Sequence, residues 1–372
     1  MQPILRTVFL KLLILSALFV HAQKTFIYVS DAGNWNNPPW QILKYDIEGN
    51  FEDVFIDQEM AWPQDILFLD STVLVSNLSS EQINAHDLYT GDFIESFATG
   101  IAGPTRMKIG ADSLLHVLQW SGDGKVKRYD LAGTFIDDFT DIGINQGIGM
   151  DWDAQGNLYV SSYGQDHVQR FDTNGMWVDT FIDSALVGPT NIWFAEDGTL
   201  FVSDYDGGSI QHFDTDGGFL SSFIGGLTQS EGVDFMENGD LLIGNGGTGA
   251  VKQFSSDGTF IGDLIPSSLG GLLRPNAVVL HDELVDTLVH TSPLHHPSAK
   301  VFPTKGSQFS IDSRPELIER VQVWDANGKL LQEHTSPTSS MVWDAREAAT
   351  GVHFIIIERM DGEVIRQRVL RE

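Results

Sequence analysis

Cysteine is absent from all 372 residues. Disulfides are therefore excluded, as are thiolate metal sites and thiol nucleophiles. A chain of this length, 42% hydrophobic, can still bury a core that stands without cross-links. Basic residues are scarce, 22 Lys and Arg against 51 Asp and Glu, for a net charge of −29. That balance argues against nucleic-acid and anionic-lipid surfaces; it attracts cations or basic partners and keeps the chain in solution. Long apolar runs are missing too. The leading one, residues 12–20 (LLILSALFV), falls short of the roughly 20 residues that span a bilayer. With Arg6 and Lys11 near it and Val20-His21-Ala22 at its end, it reads as a signal peptide, 1–22, cleaved from the mature protein. No transmembrane segment is expected afterwards. Residues 301–372 hold 9 Lys and Arg against 11 Asp and Glu, so the acidity sits in the middle of the chain.

What fills that middle is a repeat. Lys44-Tyr45-Asp46, Ala85-His86-Asp87, Arg128-Tyr129-Asp130, Arg170-Phe171-Asp172, His212-Phe213-Asp214 and Gln253-Phe254-Ser255 recur every 41–43 residues. Each is followed by a glycine turn (such as Gly49, Gly133 or Gly175) and then an aromatic-rich strand, the pattern of a β-hairpin. Two earlier strands complete each unit. One is a short apolar run (66–69, 107–109, 148–152, 192–194, 233–236, 278–280). The other ends near a Ser (26–30, 73–76, 114–118, 158–161, 200–203, 241–243). Four short strands per repeat, six times over, specify an all-β, six-bladed β-propeller. Its phase predicts a closing blade with three N-terminal strands and one C-terminal strand.

The segment 187–214 carries Val187-Gly188-Pro189-Thr190-Asn191-Ile192, Asp197-Gly198-Thr199-Leu200-Phe201-Val202-Ser203-Asp204 and Ile210-Gln211-His212-Phe213-Asp214. It resembles the NHL repeat and its six-bladed relatives, a likeness of turns and core positions that implies fold and not activity. The propeller is expected over 23–283, followed by a Pro-, Ser- and His-rich linker, 284–300. Residues 301–372 then form a small β-sandwich. Its Val301-Phe302-Pro303 opening, the hairpin across 321–331, Gly351-Val352-His353-Phe354 and the basic 366–371 end resemble the type A C-terminal sorting domain of the Bacteroidetes type IX secretion system. Thr304-Lys305 departs from the Asn-Pro usual in that family. The resemblance implies the type IX machinery as a partner, and a secreted or outer cell-surface location.

Ligands of propellers gather over the central channel. The starts of the first strands place Gln64/Asp65, Thr105/Arg106, Asn145/Gln146, Thr190/Asn191, Glu231 and Asn276 there; the ends of the second strands add Asp31, Asn77, Trp120, Ser162, Asp204 and Asn245. The candidate ligand-binding residues are therefore Asp65, Arg106, Trp120, Asn191, Asp204, Glu231 and Asn276. The carboxylates Asp65, Asp204 and Glu231 are hard oxygen ligands that suit Ca2+ or Mg2+, and the set Glu231, Asn191 and Asp204 resembles the Glu, Asn and Asp with which gluconolactonase-type propellers hold a divalent ion. Trp35, Trp40, Trp62, Trp120, Tyr163 and Tyr205 lie in or beside loops, where flat rings can stack on sugars. No G-x-S-x-G, H-E-x-x-H or nucleophile–base pattern is present. Gly244–Gly249 fits G-x-G-x-x-G literally but lies in a hairpin, and Asp214-Thr215-Asp216-Gly217 is the repeat's own turn.

Two functions follow. The leading one is a non-catalytic, monomeric binding module for a protein, peptide or glycan. The alternative is a divalent-metal-dependent hydrolase or lyase of the gluconolactonase or streptogramin-lyase type. Removal of residues 301–372 is expected to hold the protein in the periplasm, read by cell fractionation; undiminished surface display would refute the sorting role.

Overall fold

The computed structural model describes residues 20–287, 300–302, 305–312, 317–325, 328–335, 337–360 and 364–371. The expected signal peptide up to residue 19, and linker residues 288–299, lie outside them. The chain parts into two compact units, 1–287 and 288–372. No helix among the described residues is long and apolar enough to cross a membrane.

The first unit contains six four-stranded antiparallel sheets. Their innermost strands are Pro275–Thr287, Pro63–Phe68, Pro104–Ile109, Gly147–Trp152, Pro189–Phe194 and Ser230–Phe235, and each meets the next around a closed ring. This is the six-bladed propeller. Blade 1 joins Pro275–Thr287 to Val20–Asp31, Gln41–Asp46 and Phe51–Ile56, the expected three-plus-one seam. The seam is longer than expected. Residues 284–287, assigned to the linker from sequence, pair with Val20–Gln23, of which 20–22 were assigned to the signal peptide, and prolong the strand beyond both expected boundaries.

Alternation of side chains puts one face of each blade against its neighbour, so the core lies between blades rather than within them. Leu74, Ile83 and Ala85 of blade 2 pack with Met107, Leu115 and Val117 of blade 3. The repeat's aromatic is part of this. Tyr45, Tyr129, Phe213 and Phe254 each meet the first aromatic of the following strand (Phe51, Phe135, Phe219, Phe260), with centroids 5.4–5.9 Å apart. The Asp that follows caps the turn. In blade 3, Asp130 Oδ1 accepts from Ala132 N at 2.9 Å and from Thr134 N at 2.8 Å.

The turn glycine has a second duty. A Cβ at Gly133 would lie 2.1 Å from the Phe97 carbonyl oxygen, and one at Gly175 1.9 Å from that of Phe139, each in the preceding blade. Both glycines are left-handed, at φ +82 and +77. The repeat's glycine therefore makes the turn and also lets adjacent blades close.

The second unit is a two-sheet sandwich. A three-stranded sheet (Lys300–Phe302, Gln308–Asp312, Ser340–Asp344) accompanies a five-stranded one that holds Ile318–Asp325, Gly351–Arg359 and Val364–Arg371. Phe309, Ile311 and Trp343 from the first sheet share a core with Val321, Val323, Ile355 and Ile357 from the second. The hairpin expected across 321–331 pairs Ile318–Asp325 with Leu330–His334; its turn residues 326–327 lie outside the described residues.

Two alanine substitutions separate turn strain from blade closure. At Gly156, with φ +85, an added Cβ would have only the Thr173 methyl carbon within 4 Å, at 3.5 Å. Gly156→Ala should cost about 1–2 kcal/mol, the left-handed penalty alone. Gly175→Ala should cost more, on the order of 3–4 kcal/mol, because Phe139 must also move. Urea unfolding of the two variants checks the ranking.

Candidate functional site

The polar residue that ends each second strand turns back to hold the loop leading into its own blade's innermost strand. Asp31 accepts from Leu273 N and Arg274 N at 3.0 and 2.8 Å. Asn77 accepts from Ala61 N at 2.9 Å, Asp204 from Val187 N at 2.6 Å, and Asn245 from Thr228 N at 2.7 Å. Ser162 reverses the polarity and donates to the Asn145 carbonyl at 2.6 Å. In blade 3 this place belongs to Gln119, which accepts from Ala102 N at 3.3 Å. Trp120, expected at the strand end, lies one residue beyond it. These buried groups are satisfied by backbone, which is why they are polar. Burial pushes the Asp31 and Asp204 carboxyls above their ordinary value, against the backbone donors that pull them down.

With the strand ends so occupied, the next residue is free to face the channel. In four blades it does: Leu78, Trp120, Tyr163 and Tyr205 wall a cavity of about 300 Å3. Its floor comes from the residue after the innermost strand's first in five blades: Gln64, Ile148, Thr190, Glu231 and Asn276. Trp35, Trp62, Asp206 and Gln229 complete the rim. Five of the six loop aromatics singled out from sequence thus meet in one cup. The sixth, Trp40, supports it from behind, donating from Nε1 to the Trp35 carbonyl at 2.9 Å.

Backbone strain sharpens the rim. The residue before the innermost strand is left-handed in five blades; in two of these it is Gly103 or Gly188. Trp62, Gln146 and Gln229 adopt the same conformation, at φ +58, +56 and +54, at the energetic cost that a side chain pays there. Trp62 and Gln229 line the cavity, and Gln146 does not. Gln229, Ile148 and Asp206 were not anticipated from sequence. A non-glycine where other repeats carry Gly was the available signal for Gln229. For Ile148, blade 4 has no Pro to mark its strand start, so Asn145/Gln146 were expected in its place.

Beneath the cup, Arg106 reaches across the channel from blade 3. Its Nη1 donates to Asp65 Oδ1 at 2.8 Å, while Asp65 Oδ2 accepts from Met107 N at 2.8 Å. Arg106 Nη2 lies 4.0 Å from Glu231 Oε1, on the opposite blade. The Gln64 amide, oriented by its neighbours, accepts from Trp62 Nε1 and Asn276 Nδ2, both at 2.8 Å, and donates to Glu231 Oε1 at 3.1 Å. Burial raises the Glu231 carboxyl to about 7; Arg106 opposes this and Asp65 adds to it.

Of the residues expected from sequence, Glu231, Asn276 and Trp120 line the cup, and Asp65 and Arg106 lie under Glu231. Asn191 and Asp204 do not join them. Asn191 Oδ1 is engaged by Ile192 N at 3.2 Å, and Asp204 by its own loop. No group of three His, Cys, Asp or Glu side chains able to hold a metal occurs among the described residues. The Asn191, Asp204 and Glu231 set does not fit Ca2+ or Mg2+: two members are committed to backbone and do not line the cavity with the third.

No family model matches the chain, and no curated protein matches it in sequence. Solved structures do resemble it. A protein of unknown function from Bacteroides caccae superposes with a TM-score of 0.54 at 15% identity, covering 69% of this chain and 98% of its own. A chain of the nidogen/laminin complex gives 0.56 at 14% identity, with the same two coverages, 69% and 98%. A gluconolactonase from Xanthomonas campestris gives 0.49 at 18% identity, over 65% of this chain and 84% of its own. What the first two share with this chain is the fold.

The Glu231 carboxyl makes stability depend on pH. The folded state keeps this proton up to about pH 7, whereas the unfolded chain releases it near 4.5. Stability should therefore fall as pH rises through that window and level off above it. Glu231→Gln should unfold at a higher temperature than the parent near pH 8, by an amount equivalent to about 2–3 kcal/mol. Near pH 4 the two should coincide, a comparison that thermal melts at both pH values make.

Proposed function

We propose that the propeller is a binding module that receives part of a protein, peptide or glycan ligand in the aromatic cup at one end of its channel. The observation that carries this reading is the convergence of Trp35, Trp62, Trp120, Tyr163 and Tyr205 on one cavity with a Gln64, Glu231 and Asn276 floor. Concave sites with mostly apolar walls and a few placed polar groups are the usual form of ligand pockets, and about 300 Å3 is at the small end of their range. Two of the rim residues hold a strained backbone that glycine adopts in other blades, as befits positions kept for their side chains.

The metal-dependent hydrolase or lyase alternative requires a hard cation beside Glu231. Among the described residues no group of three His, Cys, Asp or Glu side chains gathers there to hold one, so the alternative is the weaker reading. Export through the signal peptide, and delivery to the cell surface or medium by a type IX system, complete the proposal. They rest on the sequence resemblances of residues 1–22 and 301–372.

Trp120→Ala and Trp62→Gly test the cup. Peptide and glycan arrays probed with the full chain should show hits that both variants weaken tenfold or more while their melting temperatures stay near the parent's. Hits indifferent to both substitutions would place recognition elsewhere.

A further inference from the structure

We propose that the group anchoring the ligand in the cup is an organic ammonium ion, held among the aromatic rings above Glu231. This rests on the reading of the cup as the binding site, and names its ligand class.

The first argument is charge. Two carboxyl groups, Asp65 and Glu231, lie beside one guanidinium under the cup, and all three are buried. Arg106 is committed to Asp65 at 2.8 Å, and its Nη2, the atom nearest Glu231, makes no hydrogen bond among the described residues. Glu231 is thus the outer, weaker partner of the shared cation, and it is the one member of the trio that lines the cavity. When it ionises, the floor carries one more negative than positive charge. A ligand cation cancels that excess; a neutral sugar leaves it, and an anion worsens it.

The walls make the second argument. Aromatic faces attract cations, and rings set at right angles offer faces and edges in several directions, the arrangement of an aromatic cage. Trp35 and Trp62 meet at 77° with centroids 5.3 Å apart, and Tyr163 meets Tyr205 at 81° and 5.9 Å. The Trp35 ring already makes one cation–π contact outside the cavity lining: the Arg274 guanidinium lies 4.1 Å from its centroid. At the rim, Asp206 accepts from the Tyr163 hydroxyl at 2.8 Å and adds a further carboxylate. The chain's net charge of −29 draws cations from a distance.

Occupancy then couples to a proton. The groups facing Glu231 are Gln64, Asp65, Arg106, Asn276 and Tyr205, and of these only Arg106 favours its ionised form by charge. An ammonium ion seated above it favours ionisation further, so below about pH 7 binding releases a proton from Glu231 to the buffer.

Calorimetry on the full chain tests this with four probes: choline, a peptide bearing trimethyl-lysine, the neutral isostere 3,3-dimethylbutan-1-ol, and methyl glucoside. Choline, the peptide or both should bind, and about tenfold more tightly near pH 8 than near pH 6. Proton release should appear as a dependence of the measured heat on the buffer's ionisation enthalpy. Glu231→Gln, melting no lower than the parent at either pH, should lose tenfold in affinity together with the pH dependence. Binding of choline identifies a small amine as a sufficient source; binding of the peptide alone identifies a modified or basic side chain. Both outcomes support the proposal. Equal binding of the neutral isostere, or binding of the glucoside alone, would overturn it while leaving the cup as the site. Failure of all four probes overturns it too, and array hits indifferent to Trp120→Ala would take the cup reading down with it.

Discussion

The pairing of Val20–Asp31 with Pro275–Thr287 is the contact on which the rest of the propeller depends. A ring of blades has no open end only if its last strand returns to its first, and here the two ends of the unit lie in one sheet. Every other interblade contact presupposes that closure. Core clusters straddle neighbouring blades, so an open ring would expose an apolar blade face at each side of the gap. The channel exists for the same reason, because it is the space that six innermost strands leave when they meet in a circle.

That geometry explains how a repetitive sequence builds an asymmetric site. Strand ends are held by a uniform device, a side chain that clamps its blade's own loop. The neighbouring positions are released from that duty and vary from blade to blade. One carries Trp, two carry Tyr and one carries Leu in the wall. The floor varies likewise, from Ile148 to Glu231. Sixfold structure supplies the frame, and its unrepeated positions supply the chemistry. Glu231 has its raised carboxyl because the ring buries it where water hardly reaches, even though Arg106 of the opposite blade pulls it down.

Asp204 and Glu231 look alike in sequence because both stand at strand ends near the channel. A clamp and a wall residue differ by one position and by the direction of a side chain, and neither difference shows in a one-dimensional pattern. The six loop aromatics were legible as exposed rings, yet nothing in their spacing distinguished Trp40, which braces a loop, from Trp35, which lines the cup. The strand phase of blade 4 was obscured at Asn145/Gln146, where a Pro marker is lacking. Gln229 left only a faint mark, a non-glycine where two other repeats carry Gly, because the left-handed backbone there and at Trp62 is imposed by the loop around it.

Residue periodicity by itself determined the number of blades, the strands within them and the three-plus-one seam, because each repeat encodes local turns and alternating apolar faces that fold alike. It also determined the pool of residues from which a channel site is drawn. Only the tertiary structure decided which of them meet. Arg106 and Glu231 are 125 positions apart and come from opposite blades, and their encounter is a property of ring closure that no local pattern contains.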